Sequence, residues 1–168
     1  MSILKFENRT PKDLNSMIAY LTDECKTTAD GIFGIGIDPF DAVNQMKFVH
    51  NVCGYKELSH EYVQVIFCFD VGVSFDILRL REICEKIAWV LITDKRQVFG
   101  AIHYLNTDKI HCHYLINYVG IDGSLYNQNY SVIYYKKMVN EILNYYGLNE
   151  IYFYTNNLCN GGDEIECG

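Results

Sequence analysis

At 168 residues the chain has the length of one domain, and it is long enough to bury a substantial hydrophobic core. Hydrophobic residues make up 49% of it and aromatic residues 14%, which excludes a disordered chain, and no apolar run approaches the about 20 residues that a membrane span needs. The net charge of −7 at pH 7 gives no support for non-specific binding to nucleic acid, which depends on an excess of lysine and arginine.

The two ends of the chain differ in character. The first residues lack the apolar core of a signal peptide, and the seven cysteines include no Cys-x-x-Cys pair, so we expect a cytoplasmic protein with reduced thiols. We expect one domain over residues 1–155. Residues 156–168 are acidic and contain no basic residue, which predicts a flexible C-terminal tail.

The first half of the chain predicts two helices and two strands. Thr10 is a suitable N-cap for the first helix and Pro11 is suited to its first position, while Asp38 is a suitable N-cap for the second. The predicted elements are a helix over 11–21, a strand over 32–37, a helix over about 39–51 and a strand over 62–69.

The second half predicts a long helix, a hairpin, a further helix and a last short strand. Ser74 is a suitable cap for the long helix, and Gly147 is expected to end the later one. The predicted elements are a helix over 74–93, strands over 98–104 and 110–119, a helix over 131–146 and a strand over 151–154. Together these elements predict an α+β fold with a central antiparallel sheet and flanking helices.

The hairpin contains three of the five histidines of the chain. Alternate residues of a strand face the same side, so His111 and His113 share a face with Asn117. If the hairpin folds about Thr107, His103 lies opposite His111 and diagonal to His113. The three imidazoles can then converge on one ion, and the pattern predicts a metal site.

The order of these elements, with the histidine hairpin among them, resembles the relaxase or mobilisation-nuclease domain of plasmids and integrative elements, within the HUH endonuclease superfamily. Four stretches carry the resemblance and together span residues 11–148. They are the helix with its tyrosine at 17–27, the central strand at 62–69 with the helix after Ser74, the histidine motif from Gln97 to Asn117, and the helix from Tyr135 that ends in Tyr-Gly-Leu.

The resemblance implies an activity and its residues. Members of this family cut single-stranded DNA at a transfer origin through a tyrosine that becomes linked to the 5′-phosphate, and they rejoin the strand by the reverse reaction. By resemblance Tyr20 is the nucleophile, and Lys26 and Asn117 contact DNA. The three histidines are implied to bind Mn²⁺ or Mg²⁺, although imidazole donors also accept Zn²⁺ or Ni²⁺. Accessory mobilisation proteins are implied as further partners.

The chain departs from the family pattern at two places. The family usually has an aspartate two residues after the first histidine, where this chain has Leu105. Asp108, in the predicted turn, is the acid that we expect to replace it in catalysis. The histidine that the family has just before its central strand has only a displaced counterpart in His60.

Two other functions fit parts of the sequence. One is a relaxase-like module that has lost nicking and binds DNA in a regulatory role, in keeping with the acidic charge and the missing aspartate. The other is a cupin-like small-molecule metalloenzyme, which also uses His-x-His on a strand. Cupins usually add a glutamate three or four residues later and a further histidine, whereas this chain has Asn117 there and no histidine after His113.

Overall fold

A five-stranded antiparallel sheet forms the centre of the computed structural model, which describes residues 1–7, 13–92 and 95–152. The strands lie in the order β1-β3-β5-β4-β2, and every neighbouring pair is antiparallel. They are β1 (Ile3–Phe6), β2 (Ile32–Ile35), β3 (Tyr62–Cys68), β4 (Val98–His103) and β5 (His111–Asn117). The helices are α1 (Leu14–Leu21), α2 (Ala42–Val52), α3 (Ile77–Leu91) and α4 (Val132–Tyr145). The predicted α+β fold class is confirmed.

The helices cover both faces of the sheet and give three layers. Helices α1 and α2 pack with Phe99, Ala101 and Leu115 on one face. Helices α3 and α4 pack on the other face, where Tyr114 and Ile116 of β5 point. Because β4 and β5 are central strands with helices above and below, nearly all their side chains are buried, including the polar residues His103, His113 and Asn117.

Gly100 on β4 leaves room for the side chain of its partner on β2, Phe33. The ring of Phe33 on β2 occupies the space that a Cβ at this position would need. The glycine therefore lets an aromatic side chain lie flat against β4 in the core beneath α3.

The helix ends differ from several predictions. Asp13 caps α1, whereas the predicted cap Thr10 and the predicted first residue Pro11 lie outside the described residues. Asp38 caps a short 3₁₀ turn, Pro39–Asp41, that leads into α2. Helix α3 begins after Asp76, so the prediction of Ser74 as its cap was wrong. Ser131, the first residue of the predicted helix over 131–146, is the N-cap of α4, and its side chain accepts from the Tyr134 amide.

The edges of the fold bring two further differences. Strand β1 was not predicted, and it pairs with β3 as an edge strand. Of the predicted strand 151–154, Ile151 forms an isolated parallel bridge with Ser2, and residues 153–168, which include the predicted tail, lie outside the described residues. Among the described helices there is none with the length and apolarity to cross a membrane.

Candidate active site

The hairpin register places three histidines side by side on the sheet face that α1 and α2 cover. His103 pairs directly with His111, and His113 lies diagonally across from His103 opposite Ala101, as predicted. The ring centroids are 5.0 Å apart for His103 and His111, 4.7 Å for His103 and His113, and 5.0 Å for His111 and His113. One nitrogen of each ring lies within 4.8 Å of the other two. Within residues 1–7, 13–92 and 95–152, this is the only group of three or more histidine, cysteine or acidic side chains so arranged.

Burial keeps two of these imidazoles, those of His103 and His113, neutral. His103 is 3% exposed and His113 is 6% exposed. Loss of solvation lowers the pKa of His103 to about 4 and the pKa of His113 to about 2, and the neighbouring imidazoles act in the same direction. Both rings are therefore uncharged at neutral pH, which is the form that binds a metal ion.

Hydrogen bonds to backbone carbonyls orient two of the rings. His103 Nε2 lies 3.0 Å from the Leu21 carbonyl oxygen, and His111 Nδ1 lies 2.9 Å from the Lys109 carbonyl oxygen. A carbonyl only accepts, so these nitrogens carry the protons, and Nδ1 of His103 and Nε2 of His111 keep their lone pairs. His113 Nε2 is buried and has no hydrogen-bond partner within the described part of the chain.

These features fit a divalent metal ion. Three imidazoles are a common donor set, and an ion would supply a partner for the buried Nε2 of His113. Nitrogens bound at about 2.1 Å to one ion lie about 3.0–3.4 Å apart, so binding requires only a small convergence of the rings. The donors would be Nδ1 of His103 and Nε2 of His111 and His113.

Tyr20, in the last turn of α1, lies beside this cluster. Its ring contacts the His103 ring edge to face, with 6.1 Å between centroids, and its side chain is 50% exposed. The Lys26 ammonium lies 3.4 Å from the centre of the Tyr20 ring, a cation–π contact, and 3.8 Å from the Asp23 carboxylate. The hydrogen bond from the Cys25 amide, helped by the positive charge of Lys26, lowers the pKa of Asp23.

The segment after α1 is attached to the histidine hairpin through its backbone. The Lys26 carbonyl accepts from the amides of Tyr104 and Leu105, at 3.0 and 3.1 Å. The side chain of Asn106, whose φ is 51°, donates to the Cys25 carbonyl at 2.9 Å. These bonds, together with the contact between His103 and the Leu21 carbonyl, hold Tyr20 and Lys26 against the histidine cluster.

The other predicted site residues lie elsewhere. Asp108 is exposed in the hairpin loop and does not belong to the histidine group. Asn117 is fully buried, and its amide bonds to His50 Nε2 at 2.6 Å and to Gln97 Oε1 at 2.9 Å. His60 precedes β3 at the end of the sheet away from the cluster, where its ring contacts Tyr118.

Two residues at the site were not predicted. Asp23 lies three residues after Tyr20, and Gln64 on β3 places its amide nitrogen 3.0 Å from His113 Nδ1. The sequence signal for Asp23 was its closeness to Tyr20. Gln64 is a polar residue within an otherwise apolar central strand, and that break in the pattern was the available signal.

The fold and the site together define an α+β domain with a three-histidine cluster that could hold a metal ion and a tyrosine beside that cluster. The family model of the relaxase MobA/VirD2-like nuclease domain matches residues 20–148, more than half of the chain. The chain therefore belongs to this relaxase family.

A chain from the solved structure described as "Molecular Basis of Vancomycin Resistance Transfer in Staphylococcus aureus" is similar with a TM-score of 0.47 and 16% identity, over 70% of this chain and 71% of that one. No curated protein sequence matches the chain.

Proposed function

We propose that the chain nicks and rejoins single-stranded DNA in the mobilisation of a plasmid or mobile element, with Tyr20 as the nucleophile. The observation that carries this proposal is the position of Tyr20 at the rim of the buried histidine cluster, 6.1 Å from the His103 ring between centroids. Membership of a relaxase nuclease family makes DNA the substrate class. Tyr20 is 50% exposed, so part of the residue faces the solvent from which a strand would approach.

The proposed reaction is a reversible exchange of phosphodiester bonds. The Tyr20 oxygen attacks phosphorus as its proton leaves, and the bond from phosphorus to the 3′-oxygen of the preceding nucleotide breaks. That oxygen takes up a proton and becomes a 3′-hydroxyl, while the 5′-phosphate remains linked to Tyr20. Attack by the 3′-hydroxyl reverses the step and reseals the strand, so no external energy source is needed.

The metal centre serves the phosphate in this proposal. Nδ1 of His103 and Nε2 of His111 and His113 would hold Mn²⁺ or Mg²⁺, with Zn²⁺ or Ni²⁺ also compatible with imidazole donors. When bound, the ion supplies a Lewis acid that offsets the negative charge developing on the phosphate oxygens. Burial of His103 and His113 keeps water from the inner side of the donor set.

Lys26 and Asp23 form the charged part of the site. The ammonium lies over the Tyr20 ring, so it restrains the ring and places a positive charge where a phenolate would form. The carboxylate, 3.8 Å from the ammonium, limits how far Lys26 can move from the ring. In this proposal Lys26 also contacts the scissile phosphate, as the resemblance implies. Asn117 is left out of the DNA-contacting surface because its amide is occupied inside the core.

The test is formation of a covalent adduct between the protein and DNA. A pool of single-stranded oligonucleotides with a randomised centre and a 3′-end label is incubated with the protein and Mn²⁺, then run on a denaturing gel. Labelled DNA should migrate with the wild-type protein and with Tyr145→Phe, a control in which an exposed tyrosine on α4 is altered. Tyr20→Phe should give no adduct, because the phenyl ring keeps the packing but lacks the oxygen.

The outcomes separate the candidate functions. An adduct with Tyr20→Phe at the wild-type level would show that Tyr20 is not the nucleophile. Wild-type protein that binds the oligonucleotides with steep salt dependence but forms no adduct would instead indicate a DNA-binding module without nicking, as the charge of −7 and Leu105 in place of an acid also allow.

A further inference from the structure

The partners of the three histidines differ in one respect. His103 and His111 each face a backbone carbonyl, which can only accept, so their protonated nitrogens are fixed. His113 faces a side-chain amide, that of Gln64, which has a donor end and an acceptor end. The tautomer of His113 is therefore set by a group that can present either end.

The amide end that faces His113 decides which ring nitrogen has the lone pair. With Gln64 Nε2 at 3.0 Å, Nδ1 of His113 accepts, and the proton of the neutral ring lies on Nε2. That nitrogen is buried and has no hydrogen-bond partner in the described structure, and in its protonated form it cannot bind an ion. A half-turn of the amide exchanges Nε2 for Oε1, which occupies nearly the same space. Nδ1 then carries the proton and donates to Oε1, and Nε2 has its lone pair.

The sheet register explains why Gln64 can do this. On β3 and β5, Gln64 pairs with Leu115, and two residues further along β3, Ile66 pairs with His113. Gln64 therefore lies on the same sheet face as the histidine cluster and diagonal to His113. The residue is partly buried, which favours a direct hydrogen bond over competition from water.

We propose that Gln64 is a positioning residue of the metal centre: its amide oxygen accepts from Nδ1–H of His113 and thereby directs Nε2 of His113 at the ion. This inference rests on the proposed metal site. It assigns to β3 a role that the predicted ligand set, drawn from β4 and β5 alone, did not include. Hydrogen bonds of this kind fix ring orientation and typically change metal affinity by about 10–100-fold.

The first test measures Mn²⁺ affinity of the intact protein by titration calorimetry, without DNA. Gln64→Leu removes both ends of the amide and should weaken binding by about 10–100-fold. Gln64→Glu supplies only acceptors and should retain affinity near or above that of wild type. Gln45→Leu, which removes a partly buried glutamine on α2 that bonds to Asp41, is the matched control and should bind as wild type does.

The second test reads the tautomer in the wild-type protein and so does not depend on how a variant folds. Long-range ¹H–¹⁵N spectra of the histidine rings, with Zn²⁺ as a diamagnetic probe, should show the His113 proton on Nδ1 in the loaded protein and on Nε2 in the metal-free protein. A proton that stays on Nε2 after loading would overturn the role of Gln64.

The remaining outcomes are distinct. Wild-type affinity in Gln64→Leu, or equal loss in Gln64→Leu and Gln64→Glu, would overturn the inference while the metal site stands. A wild-type protein that binds neither Mn²⁺ nor Zn²⁺ would overturn the metal site and the inference together. Metal binding that depends on Gln64, in a protein that forms no DNA adduct, would support the inference and refute the nicking function.

Discussion

Acidification of the metal-free protein should destabilise it through His103 and His113. Burial holds the folded-state pKa of these residues at about 4 and about 2, below the value of about 6.5 for a solvated histidine. The unfolded chain therefore binds more protons than the folded chain as the pH falls below about 6.5. The contribution of the two histidines to the free energy of unfolding is fully present above that pH. It is lost progressively as the pH falls towards their folded-state pKa values.

The size of the effect follows from linkage. For a group with an unfolded pKa of about 6.5 and a folded pKa below 5, lowering the pH from 7 to 5 stabilises the unfolded state by about 2 kcal/mol. His103 and His113 both meet this condition, so together they should lower the free energy of unfolding by about 4 kcal/mol between pH 7 and pH 5. For a protein of this length that corresponds to a fall in Tm of about 8–16 °C.

The assay is thermal unfolding followed by circular dichroism at pH 7 and pH 5, with a chelator present. The double variant His103→Gln/His113→Gln is the control, because it lacks both imidazoles and retains the buried His50. The pH-dependent fall in Tm should be several degrees larger in wild type than in this variant, with His113→Gln in between. Equal falls in all three proteins would refute the assignment of the pH dependence to the cluster.

Three other substitutions test the fold and the site. Gly100→Ala should lower the free energy of unfolding by about 1–3 kcal/mol in urea, because its Cβ would overlap the Phe33 ring; an unchanged midpoint would contradict this packing. Asn117→Leu should cost about 1–3 kcal/mol by leaving buried His50 unpaired, yet leave the DNA affinity of the folded protein unchanged; a specific loss of affinity would instead place Asn117 at the DNA. Asp108→Asn should form the covalent DNA adduct at the wild-type rate, since the carboxylate is exposed in the loop. Slower formation of the adduct would instead indicate that Asp108 takes part in catalysis.

The hairpin could be predicted from sequence because its information is local. Alternation along the strand, a turn centred on Thr107 and the matching parity of the histidines together define the register, and the pairing of His103 with His111 confirms it. The four helices could be predicted from their apolar spacing, with errors of a few residues at their first turns.

The surroundings of the cluster could not be predicted in the same way. The acceptor for His103 is the Leu21 carbonyl, and a backbone carbonyl has no residue type by which a sequence could reveal it. The contact of Gln64 depends on the register between β3 and β5, strands separated by more than 40 residues. Strand β1 has four residues at a sheet edge, too few for a periodic pattern.

The bond between His103 and the Leu21 carbonyl joins α1, which carries the proposed nucleophile, to the proposed metal site. Tyr20 and Leu21 are neighbours on α1, so a displacement of the helix by bound DNA would change the orientation of His103, a proposed metal ligand. Equilibrium coupling of this kind is reciprocal: if the ion increases affinity for DNA by some factor, DNA increases affinity for the ion by the same factor. In a cell where divalent ions are scarce, the arrival of the strand would thus itself favour loading of the site.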